Sequence, residues 1–280
     1  MKQSVLIVIP VLNPESTFFT AVIPMLLKQS IKSSILLISS SGIMPDGDYE
    51  SIVIDGKDFN HANTRNMALL YDSDFYLFMT QDATPCDEYL VEKLLEPFMD
   101  EEVVVSYARQ VPYENAHITE RFSRNKNYPN ESMIKSKDDI SRLGIKTFFS
   151  SDSCALYRAD YFKKAGGFKR DLNVSEDMEF AARAIFDDKK VAYCAEARVY
   201  HSHIYNVFGL YARYVAIGRF FKENGWIQES IKGNTSTERT GSKQVMEELK
   251  YIASKEPSAL AKSFFYNLVK FFAYSVGKKF

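Results

Sequence analysis

The stretch Val5-Leu-Ile-Val-Ile9, which ends at Pro10, decides the fold class of this chain. It is an uninterrupted apolar run of strand length, as is typical of a strand that is buried on both faces of a sheet. Further apolar runs of this kind follow at 34–38, 51–54 and 75–79. Apolar residues at helical spacing mark the segments between them, at 18–29 and 62–71. Strands that alternate with helices predict an α/β fold, with a mostly parallel sheet flanked by helices.

Length and composition indicate an ordinary globular protein. The 280 residues are 46% hydrophobic and 25% charged, which is enough to form a sizeable core. The formal net charge of −1 gives no reason to expect a nucleic-acid partner. No stretch approaches the roughly 20 apolar residues that span a bilayer, and the amino terminus lacks the features of a signal peptide. Cys86, Cys154 and Cys194 show no paired spacing, which predicts reduced thiols in a cytosolic protein.

Charge and sequence pattern divide the chain near residue 205. Residues 205–280 hold 12 basic against 6 acidic side chains, whereas residues 1–204 hold 23 against 30. The pattern after Tyr205 is mainly helical, and the polar stretch 110–148 predicts a substrate-facing excursion or a mobile loop. We therefore predict a catalytic domain at 1–205 and a helical extension at 206–280.

The acid pair Glu176-Asp177 is the strongest chemical signal in the chain. It follows the turn Gly166-Gly-Phe168 and opens a predicted helix within Ser175-Glu-Asp-Met-Glu-Phe180. Acidic residues at a helix start also compensate the helix dipole, so a purely structural role stays open. The functional alternative makes Asp177 a general base that removes a proton from an acceptor hydroxyl.

Two further positions are candidates for a cation site. Asp82 lies in the turn Thr80-Gln-Asp-Ala-Thr-Pro85, after a predicted strand, and a carboxylate there suits a divalent cation that bridges phosphates. Aspartate is also a common turn former, so the structural alternative stays open. His201 and His203 follow the predicted strand 191–200 and alternate across an extended backbone, so at most one of them faces the site.

The segment Phe59-Asn-His-Ala-Asn-Thr-Arg-Asn66 is a second dense polar cluster. Arg65 has the planar fork that pairs with a diphosphate, whereas His61, Asn63 or Thr64 are suited to capping the following helix. No glycine-rich dinucleotide motif and no P-loop motif occurs, which disfavours a dinucleotide oxidoreductase or a P-loop enzyme.

Taken in order, these segments resemble the family 2 glycosyltransferases, which have the GT-A fold. Within that family the chain is most similar to the rhamnosyltransferases of bacterial surface-polysaccharide synthesis. The matching stretches are Ile9-Pro-Val-Leu-Asn-Pro14, Phe59-Asn-His61, Thr64-Arg-Asn66, Thr80-Gln-Asp-Ala-Thr-Pro85, Asn127-Tyr-Pro129, 144–155, Gly166-Gly-Phe168, Ser175-Glu-Asp-Met178 and 197–203. The resemblance covers roughly residues 4 to 250 and is specific as a set of motifs.

The resemblance implies a nucleoside-diphosphate sugar donor, in this subgroup dTDP-β-L-rhamnose, a divalent cation (Mn²⁺ or Mg²⁺), and inversion at the anomeric carbon. It implies that Asp177 is the base, that Glu176 orients it, and that the cation ligands are Asp82 and His201 rather than His203. The substrate-binding positions that it implies are Pro10, Asn13, Ser39, Ser41, His61, Arg65 and Asp152. The fold that it implies for residues 1–205 is GT-A, a Rossmann-like nucleotide-diphospho-sugar transferase sheet.

Two positions depart from the family pattern. The first acid of the family's DXD motif is Thr80 here, which leaves Asp82 as the single carboxylate and implies a weaker cation site. The acid that usually follows the second strand and contacts the nucleotide is Ser39. The first departure is shared with the rhamnosyltransferase subgroup, so it favours that subgroup over other family members.

The segment 257–280 is basic and aromatic. It holds four lysines and no acid. The large apolar residues between them are Phe264, Phe265, Tyr266, Leu268, Phe271, Phe272 and Tyr274. A helix of this composition suits the headgroup plane of an anionic membrane, and the alternative is that its aromatic residues pack on the catalytic domain or on a partner subunit. We predict attachment to the inner face of the plasma membrane, from the cytoplasm, which suits a lipid-linked acceptor.

The sequence therefore predicts an inverting glycosyltransferase that moves L-rhamnose to a hydroxyl of a lipid-linked glycan acceptor in cell-surface polysaccharide synthesis. One alternative is a family 2 transferase with another donor, such as a UDP-hexose. The other is a non-catalytic sugar-nucleotide-binding subunit of a polysaccharide assembly complex. Homo-oligomer formation is left open.

Overall fold

The computed structural model describes residues 3–202, 206–232 and 237–279. Its strands are β1 (Val5–Val11), β2 (Ser34–Ser39), β3 (Glu50–Val53), β4 (Phe75–Met79), β5 (Thr84–Pro85), β6 (Val103–Val111), β7 (Met133–Lys135), β8 (Cys154–Arg158) and β9 (Lys190–Tyr200). Its helices are α1 (Ile23–Leu27), α2 (His61–Arg65), α3 (Leu90–Leu95), α4 (Ile118–Asn127), α5 (Ile140–Leu143), α6 (Ala159–Lys164), α7 (Glu176–Phe186), α8 (Val207–Glu223), α9 (Gly225–Glu229), α10 (Thr237–Lys255) and α11 (Leu260–Lys279).

One mixed sheet carries the strands in the order β3-β2-β1-β4-β8-β6-β9-β5, and β7 pairs with β9. The pairs β1–β2, β2–β3 and β1–β4 are parallel. The pairs β4–β8, β6–β8, β5–β9 and β7–β9 are antiparallel. The predicted α/β architecture is therefore present, and the predicted parallel arrangement holds for the half of the sheet that the amino-terminal strands form.

Alternation along the strands divides the core into two faces. On one face, residues such as Ile7, Leu37 and Leu77 belong to a large aliphatic cluster. On the other face, six aromatic rings contact one another through centroid distances of 4.9–6.4 Å: Tyr76, Phe78, Tyr157, Phe162, Phe168 and Phe180. Both faces of the central strands are thus covered, which explains why their sequences read as continuous apolar runs.

Several elements differ from the sequence-based expectation. The predicted helix 18–29 consists of a π-helical turn, Phe18–Val22, followed by the short α1, and Pro24 lies in the first turn of α1. The polar stretch 110–148 contains regular structure instead of a mobile loop. Within it, α4 buries Ile118 and Phe122, and the Phe122 ring lies 5.4 Å from the ring of Tyr251 in α10.

The chain clusters into two compact units. The first comprises residues 1–110, 130–137 and 148–201, and the second comprises 111–129, 138–147 and 202–280. The predicted boundary at residue 205 stays a prediction, because the second unit also takes in two segments that the sequence assigned to the first domain.

In the second unit, α8 and α11 cross at two glycines. A side chain at Gly218 would clash with the carbonyl oxygen of Tyr274 and would bring its Cβ within 2.9 Å of the Cα of Gly277. A side chain at Gly277 would likewise clash with the carbonyl oxygen of Val215. Glycine at both positions therefore allows the two helix backbones to touch.

Helix α11 turns its apolar stripe outward. Its large exposed side chains, with 49–75% of their surface accessible, are Phe264, Phe265, Leu268, Phe271 and Phe272. Their spacing of three and four residues places them on one face of the helix. The buried face instead holds Ser263, Ala273 and Gly277, and the Ser263 hydroxyl donates a hydrogen bond to Glu248 of α10 at 2.6 Å. A helix at the surface of a globular protein normally buries its apolar stripe. Helix α11 does the reverse, because its large apolar side chains are exposed and its small residues are buried.

Across the ranges that the structure describes, none of the helices combines the length and the hydropathy that a bilayer crossing requires.

Candidate active site

The topology of the sheet gathers the predicted site residues at one edge. Because β1, β2 and β4 are parallel, their carboxyl ends lie at the same edge, followed by the loops that hold Asn13, Ser41 and Asp82. Strand β8 runs antiparallel to β4, so its beginning, next to Asp152, also lies there. The loops beyond the carboxyl ends of parallel strands are where α/β proteins bind ligands.

A buried arginine ties two of the predicted carboxyl groups together. Arg65, at the end of α2, is only 2% exposed. Its Nη1 donates a hydrogen bond to Glu176 Oε1 at 2.9 Å, and its Nε lies 3.7 Å from Asp152 Oδ2. It also donates to His61 Nδ1 at 3.2 Å, because a guanidinium has no acceptor. The geometry thus gives Arg65 the task of orienting protein carboxyl groups, and its predicted contact with a diphosphate stays a prediction.

The carboxylate of Asp177 is held by two backbone amides. The Met178 N–H donates to Oδ1 at 2.7 Å, and the Asp152 N–H donates to Oδ2 at 3.2 Å. Burial and the neighbouring charge of Glu176 raise the pKa of Asp177 from its ordinary value to about 6. The side chain is therefore ionised at neutral pH and is much more basic than an exposed aspartate, which is what a general base requires.

Asp152 is the most deeply enclosed acid of the cluster. Its Oδ1 accepts a hydrogen bond of 2.6 Å from the hydroxyl of Tyr157 in β8. Burial, together with the charges of Asp177 and Glu176, raises the pKa of Asp152 well above its usual range, although the positive charge of Arg65 acts in the opposite direction. Three acids lie beside one guanidinium here, so the repulsion among the acids and their burial both favour the protonated form of Asp152.

Backbone strain is present at two of these positions. Ser175, immediately before the acid pair, has φ of 60°, and Asn13, after β1, has φ of 43°. Positive φ is uncommon for residues other than glycine, and for serine more so than for asparagine. Strained residues of this kind cluster at functional sites, where the surrounding structure holds them in place.

The loops predicted to contact the donor are linked by hydrogen bonds. Pro10 lies within β1, and the loop after it is clamped by Gln81, whose amide accepts from the Leu12 N–H and donates to the Leu12 carbonyl. The Asn13 N–H donates to the Ser41 hydroxyl at 2.9 Å. The Ser39 hydroxyl donates to the Gly42 carbonyl at 2.6 Å, which closes the turn after β2. The loops after β1, β2 and β4 therefore form one connected surface.

Asp82 and His201, the two cation ligands that the family resemblance implies, lie side by side, and their donor set suits a divalent cation. His201 Nε2 lies 3.3 Å from Asp82 Oδ1, with the histidine side chain 2% exposed and the aspartate 43% exposed. Among the residues that the structure describes, no group of three or more acidic, histidine or cysteine side chains surrounds a common point. Two protein ligands are sufficient where substrate phosphates and water complete the coordination, as is usual for Mg²⁺. His203 lies outside the described residues.

The remaining sequence predictions for this region concern helix capping and the altered DXD motif. Helix α2 is capped by Asn60, whose side chain accepts from the N–H groups of Ala62 and Asn63. Of the three predicted capping residues, Thr64 contributes in return, because its hydroxyl accepts from the Asn60 N–H at 3.3 Å. The hydroxyl of Thr80, at the first DXD position, is buried and makes no hydrogen bond within the described part of the chain.

Three contributing residues were not predicted from the sequence: Gln81, Gln110 and Tyr157. Gln81 lies between Thr80 and Asp82, so its place in that turn was an available signal. Gln110 and Tyr157 lie in β6 and β8, whose apolar sequences carry no sign of a site. Their importance follows from sheet order, which places β8 beside β4 of the parallel half and β6 between β8 and β9.

Comparison with known proteins identifies the fold. The crystal structure of S. aureus TarS 1–349 and the solved structure of the mannosyltransferase PcManGT from Pyrobaculum calidifontis superpose on this chain with TM-scores of 0.58 and 0.63, at 11% and 10% identity. The matches cover 99% and 100% of this chain and 90% and 88% of those chains. The predicted GT-A fold is confirmed by these neighbours.

Sequence comparison identifies the family. Residues 46–166 match the model of Glycosyl transferase family 2. The chain is 40% identical over 229 residues to the O-antigen chain rhamnosyltransferase WbaN of Salmonella anatum, covering 81% of this chain and 72% of the relative. It is 34% identical over 286 aligned positions to the O-antigen chain rhamnosyltransferase RfbN of Salmonella typhimurium, covering 99% and 90%. With these two relatives aligned over most of its length and the family model matched at 46–166, the chain belongs to glycosyltransferase family 2.

Proposed function

We propose that this glycosyltransferase of polysaccharide synthesis is an inverting enzyme that transfers L-rhamnose from dTDP-β-L-rhamnose to a hydroxyl of a glycan acceptor. The observation that carries the proposal is the carboxylate of Asp177, which two backbone amides hold at the carboxyl edge of the sheet with its pKa raised to about 6. The two relatives named as O-antigen rhamnosyltransferases support rhamnose as the sugar.

In the proposed reaction, Asp177 removes the proton of the acceptor hydroxyl while the acceptor oxygen attacks the anomeric carbon. The new glycosidic bond forms as the bond between the anomeric carbon and the diphosphate oxygen breaks, and the electron pair leaves with dTDP. Attack from the face opposite the leaving group inverts the configuration. Glu176, fixed by Arg65, keeps Asp177 basic through its charge. The ends of β1 and β2 and the loops after them, which hold Pro10, Asn13, Ser39 and Ser41, bind the nucleotide.

Asp82 and His201 would hold a divalent cation, Mn²⁺ or Mg²⁺. When bound, such a cation supplies positive charge to the leaving diphosphate. The chemistry of the two donors supports this assignment, because a carboxylate suits Mg²⁺ and Mn²⁺ and an imidazole is a common ligand of divalent transition metals. The solved structure of the similarly folded PcManGT is of its complex with GDP-Man and Mn²⁺.

The base assignment is tested with Asp177→Asn, which keeps the shape of the side chain and removes its basicity. We expect the rate of dTDP release with acceptor present to fall by about 10²–10⁴-fold, the typical contribution of a general base. Asp188→Asn makes the same change at an exposed position with positive φ, which asparagine tolerates, and should leave the rate unchanged. A turnover of Asp177→Asn within a few-fold of the wild type would exclude Asp177 as the base.

The donor is tested with a panel of dTDP-β-L-rhamnose, UDP-glucose, UDP-galactose and GDP-mannose, with and without added Mn²⁺ or Mg²⁺. Release of nucleoside diphosphate from the rhamnose donor alone supports the proposal. A faster reaction with a UDP-hexose assigns the chain to another donor. Binding of a donor without turnover of any of them, with an acceptor extract present, favours a non-catalytic subunit.

The proposal includes membrane attachment from the cytoplasm, at the inner face of the plasma membrane, through α11. Its five exposed apolar side chains form a stripe, and Lys262, Lys278 and Lys279 are exposed on the same helix. Exposed apolar area flanked by lysines and without acids is complementary to anionic lipid. A second copy of this chain suits the stripe less well, because an isologous contact would bring the lysines of two α11 helices together. A lipid-linked glycan acceptor would be presented at the same surface.

Flotation with vesicles tests this attachment in the full-length protein. We expect Phe271→Ser with Phe272→Ser to reduce binding to anionic vesicles by at least about tenfold, because burying one such side chain contributes roughly 1.5–3 kcal/mol. Met99→Ser, which removes an exposed apolar side chain of the first unit, is the control and should bind as the wild type does. Unchanged flotation of the double variant would contradict attachment through α11, and a loss of dimer in its place would assign the stripe to self-association.

A further inference from the structure

One buried amide joins the cation side and the base side of the site. Gln110, near the end of β6, is 2% exposed. Its Oε1 lies 2.7 Å from His201 Nδ1, and its Nε2 donates to the Ser151 hydroxyl at 2.7 Å. Ser151 precedes Asp152, whose N–H donates to Asp177.

The orientation of this amide determines the tautomer of His201. Since the amide nitrogen donates to Ser151, the end that faces the imidazole is the carbonyl oxygen, which can only accept. His201 Nδ1 must therefore carry a hydrogen. In a neutral imidazole the lone pair then lies on Nε2, the atom that is 3.3 Å from Asp82 Oδ1.

This tautomer is the one that a cation ligand needs. Histidines that bind metals through one ring nitrogen usually donate the other ring N–H to a carbonyl or carboxylate, which fixes the ring and raises the basicity of the ligating atom. The Nε2 lone pair and the Asp82 carboxylate both carry negative potential at short distance, an arrangement that a cation stabilises.

We propose that Gln110 is a positioning residue that orients His201 Nε2 toward the cation. Through its hydrogen bond to Ser151, Gln110 also fixes the position of the His201 ring relative to the segment that carries Asp152 and the amide contact to Asp177. The inference rests on the cation site of the proposed function. The inference adds Gln110 to the site, between the cation ligand His201 and the base Asp177. One side chain then influences the position of both groups.

The test is the affinity of the purified full-length protein for Mn²⁺, measured by electron paramagnetic resonance titration with and without dTDP. Gln110→Leu removes the hydrogen bonds to His201 and Ser151, and we expect it to weaken Mn²⁺ binding by about 10–100-fold, the usual effect of removing a partner of a metal ligand. Gln110→Glu keeps an acceptor for the Nδ1–H, and its Mn²⁺ affinity should stay within a few-fold of the wild type or rise. This second variant keeps the test decisive if the leucine variant folds poorly.

Gln29→Leu is the matched control. Gln29 is also fully buried in the first unit. Its amide nitrogen donates to the carbonyl oxygens of Met25 and Asp87, and its amide oxygen accepts from the Val91 N–H, so none of these hydrogen bonds involves His201. Its Mn²⁺ affinity should equal that of the wild type, which separates loss of a buried amide from loss of the His201 partner.

The outcomes separate this inference from the proposed function. If Asp82→Asn abolishes Mn²⁺ binding while Gln110→Leu binds as the wild type does, the cation site stands and the role of Gln110 is overturned. If the wild-type protein binds no Mn²⁺ under either condition, the cation site fails and the inference fails with it, whereas the base assignment is judged independently by Asp177→Asn.

Discussion

At the scale of single residues, the raised pKa of Asp177 predicts the pH dependence of catalysis. The base is active only when ionised, so kcat/KM should fall about tenfold per pH unit below pH 6 and level off above it. Glu176→Gln removes a negative charge that raises the pKa of Asp177, so the normalised profile of this variant should move to lower pH. The measurement is kcat/KM from pH 4.5 to 8 for both proteins. A kcat/KM profile of Glu176→Gln that moves to higher pH would contradict the assignment. So would a wild-type kcat/KM that begins to fall only near the ordinary pKa of an aspartate.

The residues of the acid cluster also show what the sequence could and could not reveal. Asp177 and Glu176 were identifiable because they open a helix after a glycine turn, and the structure brings them to Arg65 and Asp152, which the same motifs imply. The burial of Arg65 was not predictable, because a short polar segment gives no indication of which side chains face inward. Tyr157 was hidden for the opposite reason, since a tyrosine that follows Cys154-Ala-Leu156 in a short strand reads as a core residue.

At the scale of elements, sequence patterns predicted the parallel strands well and the antiparallel ones poorly. β1, β2, β3 and β4 alternate with helical segments, and that alternation is a direct signal. β6 and β8 are separated by more than 40 residues that include α4 and α5, so nothing local indicates that they pair. Because Gln110 and Tyr157 lie on these two strands, the undetected pairing is also why both residues were missed.

The crossing of α8 and α11 gives a prediction at the same scale. Gly218→Ala places a Cβ against the backbone of α11, so the helices must separate and part of their buried surface is lost. We expect a fall in the melting temperature of at least several degrees and faster proteolysis within 206–279. Gly225→Ala, at the start of α9, brings the added Cβ within 4 Å of no atom beyond its chain neighbours and its own helix backbone, so this variant should melt as the wild type does. Equal melting of the two variants would show that the close approach does not stabilise the protein.

At the scale of the whole molecule, the uneven distribution of charge predicts how membrane binding responds to salt. Residues 205–280 carry 12 basic and 6 acidic side chains, and residues 257–280 carry four lysines and no acid, although the chain as a whole has a net charge of only −1. The attraction of these lysines to anionic headgroups acts over about one Debye length, which shortens from about 10 Å at 0.1 M salt to about 3 Å at 1 M. The apolar contribution of α11 does not weaken in this way.

Flotation on anionic vesicles should therefore decrease several-fold between about 0.1 M and 1 M NaCl and should retain a salt-resistant remainder. Two variants separate the contributions in the same assay. Lys278→Gln with Lys279→Gln should reduce vesicle binding at low salt and leave the salt-resistant binding unchanged. Phe271→Ser with Phe272→Ser should remove the salt-resistant binding. Binding that is equal on neutral and anionic vesicles at every salt concentration would contradict the electrostatic part. Binding that disappears completely at 1 M NaCl in the wild type would contradict insertion of the aromatic stripe, and the outward polarity of α11 would then need a protein partner.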